Sequence, residues 1–146
     1  MILRRTVEVS VWEVVISGVT GYDKVVTGAG LESMVSCLAA PFNYDNAWMP
    51  FIAIGDGEVA VGSEDEQLSN ELWRKKGTVT KEGDDERYTV LATFGEGEPS
   101  GACVIREVGI FDRIAGGVMA ARWVLDEDVA KSATQEVEIR CMATAI

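Results

Sequence analysis

A ten-residue stretch, Cys103–Asp112, places the strongest constraint on the fold, because it is an apolar β-type run with two charges at its centre. Side chains alternate between the faces of a strand, so Arg106 and Glu107 must point to opposite faces. A buried ion without a partner is costly, so the inward residue needs one, or the strand bends there through a bulge. We expect a structural ion pair with Arg122, Arg140 or a backbone group; the alternative is a fixed charge network at a subunit contact.

Composition favours one soluble globular domain covering residues 1–146, with 47% hydrophobic and 25% charged residues. No uninterrupted apolar run is long enough to span a bilayer, and Met1–Arg5 leads into an alternating strand without the apolar region of a signal peptide. We therefore expect synthesis in a bacterial cytoplasm and no membrane partner. The net charge of −11 opposes binding to nucleic acid, whose phosphates attract Lys and Arg.

Short alternating runs predict strands along most of the chain. Val137, Ile139 and Cys141 should face inward on the last strand, between outward charged residues. Tyr22–Val26 is expected to return as the second arm of a hairpin with the strand before it. Asp56-Gly57 is a second hairpin signal, with its return strand near Val59 and Val61.

One helix is predicted in the N-terminal half, where apolar residues recur at helical spacing from Leu31 to Leu38, after a possible N-cap at Thr27 and before Pro41. A possible capping box, Ser63 to Glu66, suggests a second, short helix near Leu68 to Trp73. The fold class predicted is mainly β, an antiparallel β-sandwich with one helix, and an α+β variant is the alternative.

Catalytic chemistry finds little support in the sequence. The chain has no histidine, so a Ser-His-Asp or Cys-His arrangement cannot be built. Gly55–Ala60 fits a loose dinucleotide pattern, but an alternating strand is expected where that motif needs a helix. Acidic clusters fall in predicted turns, where solvated charge is the ordinary expectation; calcium is the alternative, although no EF-hand spacing occurs. We expect no catalytic residue, no metal and no cofactor.

Cysteine and tryptophan residues leave two questions open. The three cysteines, Cys37, Cys103 and Cys141, are odd in number and widely spaced, which favours buried thiols over a disulfide framework. The alternative is a bridge from one of them to another subunit. Large aromatic residues in a β protein usually lie in the core or at a subunit interface, but here they also allow a sugar-stacking platform. These residues are Trp12, Trp48, Trp73 and Trp123.

Several segments in the same order are similar to those of a known class of bacteriophage proteins. The Ile-Arg-Glu-Val-Gly-Ile-Phe-Asp run is followed by a Gly-rich turn and a strand, Gly117–Arg122, and preceded by three shorter segments, Val26–Leu31, Ile52–Gly57 and Glu71–Arg74. Together these segments resemble small virion structural proteins of the tail-collar and tail-fibre type. The fibre members of that class continue into long shaft sequences, whereas this chain ends at Ile146.

The resemblance implies a non-enzymatic virion protein in many copies, attached to the tail, neck or baseplate. Alternatives are a head decoration protein and a receptor- or glycan-binding module that takes a host-surface glycan. The expected partners are further copies of the chain, with a trimer favoured by analogy, and other virion proteins. An N-terminal arm, residues 1–11, is expected to pair with a neighbour, because strand edges must be covered. Candidate interface residues are Arg4, Arg5, Val7, Val9, Trp12 and Trp48.

Overall fold

The computed structural model describes residues 2–5, 12–17, 22–26, 49–82 and 87–144. The strands in these ranges are β1 (Ile2–Arg5), β2 (Trp12–Ser17), β3 (Tyr22–Val26), β4 (Phe51–Gly55), β5 (Glu71–Lys76), β6 (Thr78–Glu82), β7 (Arg87–Phe94), β8 (Cys103–Phe111), β9 (Met119–Lys131) and β10 (Val137–Thr144). No helix occurs in the described ranges. The prediction of a mainly β chain is therefore confirmed.

The strands form two five-stranded sheets in which every neighbouring pair is antiparallel. Sheet 1 has the order β1-β2-β10-β7-β6, and sheet 2 has the order β3-β9-β8-β4-β5. The chain passes from sheet 2 to sheet 1 at Gly77, between β5 and β6. A Cβ atom there would lie 2.5 Å from Val90 Cγ1 and 2.9 Å from Leu91 O, so glycine permits a close passage between the sheets.

A single apolar cluster fills the space between the two sheets, as expected for a sandwich. Sheet 2 contributes residues such as Ile54, Val108 and Trp123, and sheet 1 contributes Phe94 and Ile139. All five side chains are fully buried. Val137, Ile139 and Cys141 are buried on β10, and Glu138 and Arg140 between them are partly exposed, as their alternation predicted.

The pairing of β3 differs from the sequence prediction. Tyr22–Val26 was predicted to form a hairpin with the strand before it, but β3 pairs with β9 in sheet 2, whereas β2 pairs with β1 and β10 in sheet 1. The sequence between these two strands has turn signals, but such signals indicate only that a chain reverses direction. A chain that passes from one sheet to the other reverses in the same way. The hairpin prediction was therefore wrong.

The chain after β4 also differs from the sequence prediction. Residues 56–70 contain no strand, so the hairpin predicted at Asp56-Gly57, with a return strand at Val59 and Val61, was wrong. The partner of β4 on this side is β5, so the short helix predicted near Leu68 to Trp73 was wrong as well. The other predicted helix, Leu31 to Leu38, lies outside the described residues, and so do Thr6–Val11 of the predicted N-terminal strand.

Candidate functional site

The second sheet has a face that points away from the inter-sheet core, and residues 56–70, here called the cover segment, lie on it. The alternation of β8 breaks in its middle, because Ile105 and Val108, three residues apart, both face the inter-sheet core. The pairing of β8 with β9 is irregular at the same place: Ile105 lies opposite Val129, but Glu107 lies opposite Val124. Glu107 thereby points toward the cover segment, and Arg106 occupies the irregularity.

Glu107 is fully buried, and its carboxylate accepts four hydrogen bonds. Oε1 accepts from the Ser69 amide at 2.7 Å and from Arg122 Nε at 3.1 Å. Oε2 accepts from the amides of Asn70 at 2.8 Å and Gly57 at 2.9 Å. A carboxylate offers about four lone-pair positions, so this buried acid is fully satisfied. Three of its donors are backbone groups of the cover segment, which it holds against sheet 2.

Arg122, on β9, is the charged partner of Glu107 and is 1% exposed. Its Nη1 donates to Asp65 Oδ2 at 3.0 Å and to the Ala60 carbonyl at 3.3 Å, and its Nη2 donates to the Val59 carbonyl at 2.6 Å. Glu107 therefore binds backbone donors of the cover segment, while Arg122 binds backbone acceptors. We call Glu107, Arg122 and Asp65 the charge network.

Glycine residues make room for this network. A Cβ atom on Gly55 would lie 2.6 Å from Glu107 Oε2, and one on Gly57 would lie 2.5 Å from the same oxygen. A Cβ atom on Gly109 would lie 2.9 Å from Leu68 Cδ2, so Gly109 lets the cover segment approach β8. Leu68 packs there with Ala53, Phe111 and Met119 in a second, small apolar cluster.

The turn between β8 and β9 is held by Arg74 of β5. Its Nη1 donates to the carbonyls of Arg113 and Gly116, both at 2.8 Å, and its Nη2 donates to Glu71 Oε1 at 2.6 Å. The guanidinium lies over the Phe111 ring, 3.6 Å from its centroid, in a cation–π contact. Gly116 and Gly117 have φ values of 62° and 75°, the left-handed conformation that the tight turn requires.

A half-open groove of about 730 Å³ lies between the cover segment and this turn. Leu68, Phe111 and Met119 line its apolar part, and all three are almost completely buried. Its polar lining includes the side chains of Glu71 and Arg74. Its two walls are held by buried charged side chains, because Glu107 binds Ser69 and Asn70 on one side and Arg74 binds the turn on the other.

Arg106 and Glu107 contact different partners. Arg106 is partly exposed and lies 3.2 Å from Asp128 and 3.3 Å from Glu58, besides donating to the Asp56 carbonyl at 3.3 Å. The inward residue is Glu107, and its partner Arg122 is one of the alternatives that the sequence suggested. Arg140 pairs instead with Glu138 at 3.5 Å. The pairing register of β8 with β9 also shifts at this point, as a bulge does, so the ion pair and the irregularity occur together.

The charged side chains of this site bind other parts of the same chain. Glu107 is shielded from solvent and already accepts four hydrogen bonds, so it offers no free basic oxygen at a surface. Among the described residues, no three His, Cys, Asp or Glu side chains are grouped so as to hold a metal ion. In the same ranges, no helix is long and apolar enough to cross a membrane.

The remaining residues singled out in the sequence lie apart from the network. Cys141 is buried and Cys103 is partly exposed; both are free thiols, and burial raises their pKa values. Trp123 lies in the inter-sheet core, whereas Trp73 on β5 is 39% exposed. Cys37 and Trp48 lie outside the described residues.

The interface candidates near the N-terminus are described only as backbone. Arg4 and Arg5 belong to β1, where they lie opposite Val15 and Val14 of β2. Trp12 begins β2, and Val7 and Val9 fall outside the described residues. Among the described strands, β1 is therefore an edge strand of sheet 1, paired to β2.

Sequence patterns did not reveal the role of Arg74 or the groove beside it. The alternation of Glu71–Arg74 alone says nothing about the turn that Arg74 holds. The available signal was the pair of glycines, Gly116 and Gly117, which indicated a tight turn after β8.

No protein-family model, curated protein or solved structure matches this chain. Its function is therefore inferred from the residues and their geometry.

Proposed function

We propose that this chain is a non-enzymatic bacteriophage virion structural protein, present in many copies and attached to the tail, neck or baseplate. The observation that carries the proposal is the location of the segments that resemble such proteins. Ile52–Gly57 covers β4 and the residues after it, Glu71–Arg74 lies in β5, the Arg-Glu segment is β8, and Gly117–Arg122 leads into β9. Four of the five strands of sheet 2 thus carry the resemblance, and they are adjacent in space.

These segments also hold one another. Gly57, Glu107 and Arg122 come from three of them and meet in the charge network. Arg74, from a fourth, binds the turn that separates the Arg-Glu strand from β9. The residues of the segments that carry the resemblance thus make contacts within the chain. This supports an architectural role, because a catalytic role needs a reactive group that a substrate can reach.

The proposal includes assembly with further copies and with other virion proteins. Among the described strands, β1 and β6 are the edges of sheet 1, and β3 and β5 are the edges of sheet 2. Strand edges are pairing sites in proteins present in many copies. We place the attachment in the N-terminal arm, residues 1–11, with a buried contact of more than about 1,000 Å² in total, and we favour a trimer.

The proposal is tested on particles of the phage that carries the gene. The full chain should copurify with density-gradient-purified virions in a fixed copy number, and labelled antibodies should bind the tail, neck or baseplate in electron micrographs. Labelling of the head would place the protein among decoration proteins instead. Absence of the chain from particles, together with saturable binding of the free protein to a host glycan, would contradict the proposal and favour the recognition module.

Deletion of Met1–Arg5 tests the N-terminal arm within this proposal. The truncated chain should remain folded, because it loses only the edge strand β1, but it should no longer enter particles. Incorporation of the truncated chain at the wild-type copy number would show that the attachment lies elsewhere. Circular dichroism of the purified variant provides the folding control.

A further inference from the structure

Among the described strands, β6 is the edge of sheet 1 opposite to β1. It pairs with β7 residue for residue along its whole length, whereas the pairing of β8 with β9 shifts in register. Val79 packs on the inter-sheet core, and Thr78 and Thr80 are exposed on the other face. Neither a proline nor a bulge interrupts this strand, so the backbone groups of its outer edge can pair with a further strand.

The two edges of sheet 1 run in the same direction. Four antiparallel pairings lead from β1 through β2, β10 and β7 to β6, and an even number of reversals restores the direction of the first strand. When a rotation axis relates three copies in a ring, β6 of one copy therefore meets β1 of the next in parallel. The lengths also match, because β1 has four residues and β6 has five.

The parallel arrangement brings opposite charges together. β1 ends in Arg4 and Arg5. β6 ends in Glu82, and three further acidic residues follow before β7 begins. The C-terminal ends of parallel strands adjoin, so the basic end of β1 lies beside the acidic end of β6. In an antiparallel pairing the two arginines would instead lie near Thr78, away from that acidic end.

The edges of sheet 2 are not complementary to the N-terminal arm. β5 contains three consecutive basic residues, Arg74, Lys75 and Lys76, so they have the same sign of charge as the two arginines of β1. β3 contains one acidic and one basic residue, which cancel. Pairing with β6, in contrast, continues sheet 1 of one copy into sheet 1 of the next.

We propose that β6 is the surface that receives the N-terminal arm of a neighbouring copy, in a parallel pairing with β1 that repeats around a ring of three. β1 keeps its pairing with β2, because the contact uses its other edge. The contact is heterologous, and a three-fold rotation closes the ring, so both edges of sheet 1 are covered in every copy. The inference rests on the assembly with further copies in the proposed function and names where the arm binds.

The first test changes the charge at one exposed position of β6. Thr80→Lys places a positive charge on the edge that receives the two arginines, and Thr80→Glu places a negative charge at the same position. In sedimentation equilibrium of the full chain, the wild type should form a trimer. Thr80→Lys should raise its dissociation constant at least about tenfold, because the ring contains the altered contact three times. Thr80→Glu is the matched control and should leave the trimer intact or strengthen it, and circular dichroism confirms that both variants are folded.

Pairs of cysteine substitutions test the direction of the strands. Ile2→Cys with Thr78→Cys joins the N-terminal ends of β1 and β6, which lie at opposite edges of sheet 1 within one copy, and should give disulfide-linked dimers and trimers on non-reducing gels. Ile2→Cys with Glu82→Cys should not, because four strand residues span roughly 13 Å and a disulfide needs Cα atoms within about 7 Å. The wild-type chain on the same gel controls for its own three cysteines.

The outcomes that contradict the inference are distinct from those that contradict the virion role. A chain that stays monomeric at every concentration, or a trimer that Thr80→Lys and Thr80→Glu affect equally, overturns the inference. Crosslinking through Glu82→Cys but not through Thr78→Cys overturns the parallel direction. A trimer of the expected kind that is absent from virions would overturn only the proposed function, whereas a chain found in virions that crosslinks through neither pair would overturn only the inference.

Discussion

The layer between the two sheets and the layer between sheet 2 and the cover segment are both buried, but the first is apolar and the second is centred on two charges. The inter-sheet layer contains side chains such as Phe94, Trp123 and Ile139, whose packing is non-directional. The outer layer is fixed by hydrogen bonds that Glu107 accepts from backbone amides of the cover segment and that Arg122 donates to its backbone carbonyls. An irregular segment has backbone groups that strands cannot pair, and only polar partners satisfy them.

The difference shows how a loop of 15 residues keeps one conformation without a regular element of its own. Leu68 is its only member that is a buried apolar side chain among the described residues. Apolar contacts are non-directional, so alone they do not fix the position of such a segment. The four hydrogen bonds to the buried Glu107 carboxylate form only when the backbone donors of the segment have one set of positions. We infer that the apolar layer provides most of the stability and that the charged layer provides the shape of the groove.

The largest effect is expected from removing the acid at the centre of the outer layer. Glu107→Ala should lower the free energy of unfolding by about 3–5 kcal/mol, because it leaves three amides without an acceptor and removes the buried carboxylate that pairs with Arg122. Arg106→Ala is the matched control from the adjacent position and should cost about 0–1 kcal/mol, since Arg106 is partly exposed. Chemical denaturation of both purified variants provides the comparison.

Equal and small losses for the two variants would mean that both charges are solvated and would contradict the assigned strand geometry. Arg122→Met sharpens the same comparison. It should also be strongly destabilising, because Glu107 would keep its three backbone donors but would lose its charged partner while remaining buried.

A smaller effect is expected from adding a methyl group within the outer layer. Gly57→Ala should lower the free energy of unfolding by about 1–3 kcal/mol, because the new Cβ would overlap Ser69 and lie 2.5 Å from Glu107 Oε2. Gly62→Ala is the control in the same cover segment, where the nearest atom to a new Cβ is Asp65 Oδ1 at 3.6 Å. Thermal or denaturant unfolding of both variants gives the comparison, and equal costs would show that the segment is not closely packed on Glu107.

The smallest effect concerns an ion pair outside both layers. The hydrogen bond from Lys75 Nζ, at 2.7 Å, lowers the pKa of Glu98 below its usual value of 4.5. A carboxyl group whose pKa is lowered in the folded state stabilises that state at a pH above its usual pKa. This contribution is lost as the pH falls through the lowered pKa. Both side chains are about one-third exposed, so Glu98→Gln should cost only about 0–1 kcal/mol at pH 7.

The pH profile distinguishes this ion pair from a general charge effect. Stability of Glu98→Gln should fall less steeply with acid than that of the wild type below about pH 4.5. Glu96→Gln changes the same charge at an exposed position of the same loop and serves as the control. Parallel wild-type and Glu98→Gln curves in acid would show that the Lys75 contact does not contribute.

The sequence predicted the β class and the inward face of β10, because alternation along a single strand is a local property. It did not predict which of Arg106 and Glu107 is buried, since the bulge that decides this depends on β9. The hairpin at Asp56-Gly57 failed for a related reason: the true partner of β4 begins only at Glu71. Turn signals indicate where a chain reverses but not which strand it meets next.

The candidate site was predictable in part. An inward charge with Arg122 as a possible partner followed from the cost of burying an ion. The backbone donors at Ser69 and Asn70 could not be predicted in this way. They belong to a segment without a periodic pattern, and the possible capping box before it predicted a helix near Leu68 to Trp73 instead. Gly109 inside a strand was a sign that another segment approaches closely, but the sequence alone did not identify Leu68 as that neighbour.

Native-state hydrogen exchange tests the central claim most directly, because the amides of Gly57, Ser69 and Asn70 donate to Glu107 although they lie outside any strand. If the charge network holds the cover segment on sheet 2, these three amides should exchange as slowly as those of β8, and Arg106→Ala should leave them protected. Exchange of the three at the rate of free peptide amides, while β8 stays protected, would contradict the account.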